Sequence, residues 1–194
     1  MRKPVFVLAS KSPRRKELLN SIGINPQIVT ANIDEGAYRA LLPSDMVRTL
    51  AMLKATDVAR SFNGNIYVIG ADTCVCIDEK ILGKPKTIDE AREMLGLLSG
   101  REHIVYTGYC ICDTKGNACA KSAVTKVKFR KLSEKETEAY IKTREPMDKA
   151  GGYGIQGRGA IFVEKIDGDY SNVVGLPLCA LSEMFKEEFG IELL

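Results

Sequence analysis

The sequence predicts an α/β protein of the mixed kind (α+β): a mixed, twisted β-sheet flanked by helices. Three observations predict it. Short unbroken apolar runs at 5–8, 66–69 and 74–77 read as buried strands. Two longer stretches, about 103–112 and 119–129, flank the polar turn Asp113–Asn117. Helical segments with recognisable caps stand between strands, but without the strict alternation of a doubly wound sheet. The 194 residues suit one domain, 1–194, and a chain of this size buries roughly 70% of its unfolded surface.

The elements follow in order. A first strand at about 4–9 leads into a helix from Pro13 to about Ile22, with Ser12 at the N-cap position and Gly23 as the stop. Residues 26–35 read as extended and end in the acidic pair Asp34-Glu35. Pro43-Ser44-Asp45 opens a second helix, with Met46, Leu50, Leu53 and Val58 near helical spacing, and Asn63-Gly64-Asn65 breaks it. The run 66–69 then reads as a strand that ends near Asp72, and 74–77 as a second one. Asp78-Glu79-Lys80 reads as a hairpin turn and Gly83-Lys84-Pro85 as a loop. Thr87 and Glu90 form a capping-box pattern, as do Ser133 and Glu136. Five glycines fall between 151 and 159, a density that points to close backbone approach or positive φ. Ala160 to Ile166 reads as a strand, 168–172 as a turn, and Pro177 to Phe189 as the last helix.

Composition narrows the classes. Hydrophobic residues make up 45% and charged residues 27%, ordinary for a globular chain, and the net charge of +3 is too small to imply nucleic-acid binding by field alone. No apolar run approaches a membrane span. Arg2-Lys3 and the short apolar stretch after them fall short of a signal-peptide core of about 7–15 residues, so the protein reads as cytoplasmic. The six cysteines contain no C-x-x-C pair. Cys74/Cys76 and Cys110/Cys112 have strand periodicity, and each pair reads as buried on one face. P-loop and dinucleotide-binding glycine patterns do not occur. With His103 the only histidine, multi-histidine metal sites are ruled out; His103 itself reads as a satisfied side chain at a strand end.

The chemistry-bearing segment is Leu8-Ala9-Ser10-Lys11-Ser12-Pro13-Arg14-Arg15. A helix start offers unpaired N–H groups and the positive end of a dipole. Arginine there has the wrong sign for helix stability, which makes sense if a phosphate or carboxylate takes the guanidinium groups. Asp72 and Glu35, both read at strand ends, are carboxylates able to hold a metal or a water. Arg14, Arg15, Lys54 and Lys84 are the cations for phosphate oxygens. Lys54 lies among Leu50, Ala51 and Leu53, an apolar setting for an ammonium.

In chain order, LASKSPRRKELL, Glu35, Lys54-Ala55, GADT at 70–73, GKP at 83–85, LSGREH at 98–103, EPMDKAGGYGIQGRGA at 145–160 and GDYSNVVGLPL at 168–178 resemble the Maf family over essentially the whole chain. The resemblance implies a fold similar to that of inosine-triphosphate pyrophosphatase, an elongated mixed β-sheet and helices in two lobes around a cleft. It implies hydrolysis of nucleoside triphosphates to monophosphate and pyrophosphate with a divalent cation, Mg²⁺ or Mn²⁺, and a homodimer as in paired relatives. Residue by residue it makes Asp72 the proton acceptor, Glu35 a holder of metal or water alongside Asp72, and Ser12, Arg15, Lys54 and Lys84 the triphosphate ligands. Arg14, Thr73 and Gln156 match members acting on dTTP and UTP; members acting on 7-methyl-GTP carry a bulky aromatic, glutamine and glutamate there. A glutamine amide both donates and accepts, as a pyrimidine edge requires. The same pocket would also suit a nucleotide-binding regulator of septum formation in which hydrolysis is slow or incidental.

Overall fold

The computed structural model describes residues 4–194; Arg2 and Lys3, part of the N-terminal reading, lie outside the described residues. Seven strands form one mixed sheet: β1 (Val5–Leu8), β2 (Gln27–Ile28), β3 (Ile66–Ile77), β4 (Lys80–Leu82), β5 (Glu102–Asp113), β6 (Ala118–Phe129) and β7 (Val163–Asp167). Their order is β2-β1-β3-β5-β6-β7, with β4 paired to β3 off that path. β1 runs parallel to β2 and β3, whereas β4 and β7 run antiparallel to β3 and β6. The helices are α1 (Pro13–Ser21), α2 (Pro43–Ala59), α3 (Ile88–Leu98), α4 (Glu134–Lys142), α5 (Tyr170–Val174) and α6 (Leu178–Phe189). None of these helices is long and apolar enough to cross a membrane.

The chain divides into two compact units. The first holds the residues up to Asp72, Thr107–Ala123 and Gly175–Leu194; the second holds Thr73–Tyr106 and Val124–Val174. β3, β5 and β6 each contribute to both.

In the first unit, strand alternation sorts side chains to opposite faces of the sheet. Val7 and Val68, paired in register, pack with Cys110 and Cys112 against Ala51, Ala55 and Val58 of α2. Phe6 and Tyr67, the adjacent pair, instead meet Phe185 of α6, with ring centroids 5.4 and 6.2 Å apart in edge-on geometry. Cys110 and Cys112 are small buried hydrophobes in this core, as their spacing predicts, and Cys74 and Cys76 are buried too. Gly70 lets the α2 backbone approach β3. A Cβ there would lie 2.8 Å from Ala55 N and closer still to the Ala51 carbonyl oxygen.

That approach corrects one expectation. β3 does not end near Asp72; it runs unbroken for 12 residues, and Asp72 stands in mid-strand. The glycine breaks the apolar pattern because a helix lies on it, not because the strand stops. Other expectations also shift. Glu35 opens a 3-10 turn, Glu35–Tyr38, rather than ending a strand, because the Asp34 side chain accepts from Gly36 N–H and turns the chain. Residues 158–162 are 3-10, so the following strand starts only at Val163. The segment 168–172 runs into α5, whose first N–H groups Asp169 supports by accepting from Ser171. The Ser133/Glu136 capping box forms in full. At Thr87 only half of it does, because Glu90 accepts from Lys86 N–H instead.

The second unit is built on aromatic packing. His103, Phe129 and Tyr153 meet edge-on, as do Tyr140 and Phe162, and a tilted Phe129–Phe162 contact joins the two groups, with centroids 4.7–6.0 Å apart. The hairpin between β3 and β4 turns through Asp78 and Glu79, both left-handed, as a two-residue hairpin requires.

Candidate active site

Helix α2, strand β3 and the 3-10 turn Glu35–Tyr38 assemble the first cluster. Lys54 projects from α2 with its side chain only 12% exposed, and its Nζ lies 2.6 Å from Asp72 Oδ1 and 2.7 Å from Glu35 Oε1. The ammonium therefore bridges two carboxylates that the sequence separates by 37 positions. Asp72 reaches it from mid-strand, and Glu35 from its 3-10 turn. Bringing two carboxylates together costs repulsion that one cation between them offsets.

Arg15 anchors the same region from α1. Its Nε donates to the Gly175 carbonyl at 2.8 Å, and its Nη1 donates to Ser10 Oγ and to the Ala71 carbonyl, both at 3.0 Å. Burial pushes the guanidinium's pKa down, the charges of Asp72 and Glu35 push it back up, and Arg14 opposes them. Arginine stays charged through all of this. Arg15 thus carries a fixed positive charge on the residue before Asp72. Ser12 occupies the N-cap position with Pro13 at the first helical position, but its side chain makes no capping bond. No acidic residue lies in the first turn of this helix.

Thr73, Lys84 and Gln156 belong to the second unit. Thr73 follows Asp72 in β3. Lys84 is exposed on its loop, and Gly83 accepts from Gly151 N–H at 3.0 Å, tying that loop to the glycine-dense segment. Gln156 is exposed in a tight turn closed by Gly157 N–H to the Gly154 carbonyl. Among the described residues, no group of three or more His, Cys, Asp or Glu side chains converges as a metal cage.

Sequence reasoning missed Ser10, Gly175 and Glu145. Ser10 lies inside the Ser-Lys-Ser segment, and its link to Arg15 could have been sought there. Gly175 contributes only a backbone carbonyl, which no residue type signals. Glu145 has no local pattern, because its partners lie up to 14 positions away. His103 is corrected too: it is 1% exposed, its Nε2 meets Tyr153 Oη at 2.8 Å, and its Nδ1 has no partner among the described residues. It is half satisfied.

Fold and site together define an α/β protein with a lysine-bridged carboxylate pair beside an arginine-bearing helix start. The family profile described as Maf-like protein matches residues 5–188. The chain belongs to the Maf family. It is 49% identical over 190 residues to a dTTP/UTP pyrophosphatase of Alkaliphilus metalliredigens, covering 97% of this chain and 98% of that one. It is 50% identical over 184 residues to a dTTP/UTP pyrophosphatase of Bacillus cytotoxicus, covering 94% of each. The solved structure of the Staphylococcus aureus Ham1 protein aligns with 81% of this chain and 79% of that one at 13% identity and a TM-score of 0.47.

Proposed function

We propose that the protein is a nucleoside triphosphate pyrophosphatase acting on dTTP and UTP, releasing the nucleoside monophosphate and pyrophosphate. The observation that carries the reading is the Lys54 bridge between Asp72 and Glu35. The relatives at 49–50% identity, which are dTTP/UTP pyrophosphatases, support it. So does the trio Arg14, Thr73 and Gln156, which matches the pyrimidine-nucleotide class at every position. One family profile running over 5–188, through both units, supports a single domain with a single function.

In this reading Asp72 takes the proton of the attacking water as its oxygen bonds to phosphorus and the bond to pyrophosphate breaks. Glu35 orients that water. Lys54, whose ammonium has three donors and two carboxylate partners here, turns a donor to a phosphate oxygen. Arg15 holds the local positive charge, and Ser12 and Lys84 bind the remaining phosphate oxygens. Arg14, Thr73 and Gln156 read the base. Asp72 and Glu35 also fit a hard divalent cation. Mg²⁺ characteristically takes one or two protein carboxylates and completes its shell with water and substrate phosphates. That habit agrees with a carboxylate pair rather than a full cage. When bound, such a cation would supply charge neutralisation at the phosphates.

Pyrophosphate release from a panel of nucleoside triphosphates, with Mg²⁺ or Mn²⁺ and with chelator, tests the proposal. The expected outcome is metal-dependent turnover favouring dTTP and UTP, abolished by chelator and restored by added metal. Nucleotide binding without turnover on any substrate would reject the enzyme and favour the nucleotide-binding regulator.

A further inference from the structure

Glu145 opens the 3-10 turn Glu145–Asp148, yet its carboxylate serves another segment. Oε1 accepts from Tyr140 Oη at 3.0 Å and from Gly159 N–H at 3.3 Å, and Oε2 accepts from Arg158 N–H at 3.0 Å. Tyr140 Oη in turn accepts from Gly154 N–H at 3.1 Å. The two ends of the turn that displays Gln156 are therefore held by one carboxylate and one phenol. Burial first, and the Glu145 carboxylate besides, push the Tyr140 phenol up, so it keeps its proton and donates it to Glu145.

The carboxylate is itself fixed. Glu145 N–H donates to Thr143 Oγ1, and the Glu145 carbonyl accepts from Lys149 Nζ at 2.8 Å. Gly157 leaves room for it, since a Cβ there would lie 2.7 Å from Glu145 Cδ and 2.8 Å from Oε2. A side chain at 157 would press on the Glu145 carboxylate, and Gln156 beside it is left exposed.

We propose that Glu145 is a positioning residue for base recognition: its carboxylate, through Arg158, Gly159 and Tyr140, sets the Gly154–Gly157 turn that presents the Gln156 amide. The proposal rests on the reading of Gln156 as the base-contacting residue. It makes pyrimidine selectivity depend on a carboxylate that touches neither substrate nor metal. Preorganisation is the physical reason: an amide on a loose turn pays its ordering cost on binding, whereas one on a clamped turn does not.

Steady-state kinetics of Glu145→Gln, Tyr140→Phe and Gln156→Ala, singly and as the Glu145→Gln/Gln156→Ala double variant, test it on dTTP, UTP, dCTP and GTP. Glu145→Gln keeps size but turns an amide NH₂ toward backbone donors. The expected result is a fall of about tenfold in kcat/KM for dTTP and UTP relative to dCTP and GTP. That fall comes through KM, with kcat for dTTP held within about threefold. Tyr140→Phe, which loses the donor to Glu145 and the acceptor for Gly154 N–H, gives a loss of the same kind. In the Gln156→Ala background Glu145→Gln adds no further loss of selectivity, because both act through one amide. Faster hydrogen exchange at Arg158 and Gly159 N–H in Glu145→Gln is the matching structural signature, and exchange as slow as in the unmodified protein refutes the clamp. Equal losses on every nucleotide, or independent losses in the double variant, overturn the proposal. If Gln156→Ala leaves selectivity unchanged, the base reading itself fails and the proposal with it. If Gln156→Ala changes selectivity but Glu145→Gln and Tyr140→Phe do not, only the positioning role fails. Should Glu145→Gln not fold, Tyr140→Phe decides by the same ratio.

Discussion

Lys54 can sit 12% exposed because two carboxylates meet its ammonium. The sequence showed the apolar surroundings of this lysine, which equally suit a stem lying on apolar surface with a solvated head; only the positions of Glu35 and Asp72 separate the two. Asp72→Asn keeps the size of the side chain and removes the proton acceptor. Turnover is expected to fall by a factor of about 10²–10⁴, with circular dichroism unchanged. Retained turnover in a pyrophosphate assay would remove Asp72 from the mechanism. His103 gives a second test. Burial lowers its pKa from 6.5 to about 4, so the folded ring stays neutral where the unfolded one binds a proton. Its contribution is complete above the unfolded value and is lost as the pH falls from 6.5 toward 4. The loss amounts to about 3 kcal/mol, at 1.36 kcal/mol per pKa unit. Urea titrations across that window should show a shallower pH slope in His103→Gln. An unchanged slope would assign the acid sensitivity to carboxylates.

Among the elements, β3 and α2 carry the most consequence. Their contact depends on a missing side chain at Gly70, where a Cβ would meet both the Ala55 N and the Ala51 carbonyl. Backbone atoms cannot yield as a side-chain tip can, so Gly70→Ala must separate the strand from the helix that carries Lys54. Overpacking of this kind costs about 1–3 kcal/mol, as much as or more than the roughly 1 kcal/mol from losing a helix cap such as Ser133. Differential scanning calorimetry should therefore find Gly70→Ala less stable than Ser133→Ala. Gly70→Ala alone should also lose hydrolytic activity, because it shifts Lys54 from Asp72. A Gly70→Ala protein with normal activity would show that the contact tolerates displacement. Local patterns foretold most elements here, including the full capping box at Ser133 and the hairpin at Asp78-Glu79. They failed where a distant group captured the backbone: residues 158–162 curl into 3-10 geometry where Glu145 takes the Arg158 and Gly159 N–H groups.

For the whole molecule, ligand linkage offers a check that needs no turnover. A nucleotide that binds only the folded protein stabilises it by about 2.7 kcal/mol at a hundred times its dissociation constant. For a chain of this length that is a rise in melting temperature of roughly 5–10 °C. The catalytically blocked Asp72→Asn protein with UTP and Mg²⁺ should show the rise, and with GTP a smaller one. Equal shifts would argue against pyrimidine selectivity. The sequence by itself determined most of the strands and helices and the capping box at Ser133, because periodicity and capping are local and written in neighbouring residues. Its ordered motifs likewise determined the family. Only the tertiary structure decided that Asp72 stands in mid-strand, that Lys54 bridges it to Glu35, and that Glu145 clamps the turn beneath Gln156. Each of these joins groups far apart in the chain, and a chain encodes such meetings in its packing rather than in any single segment.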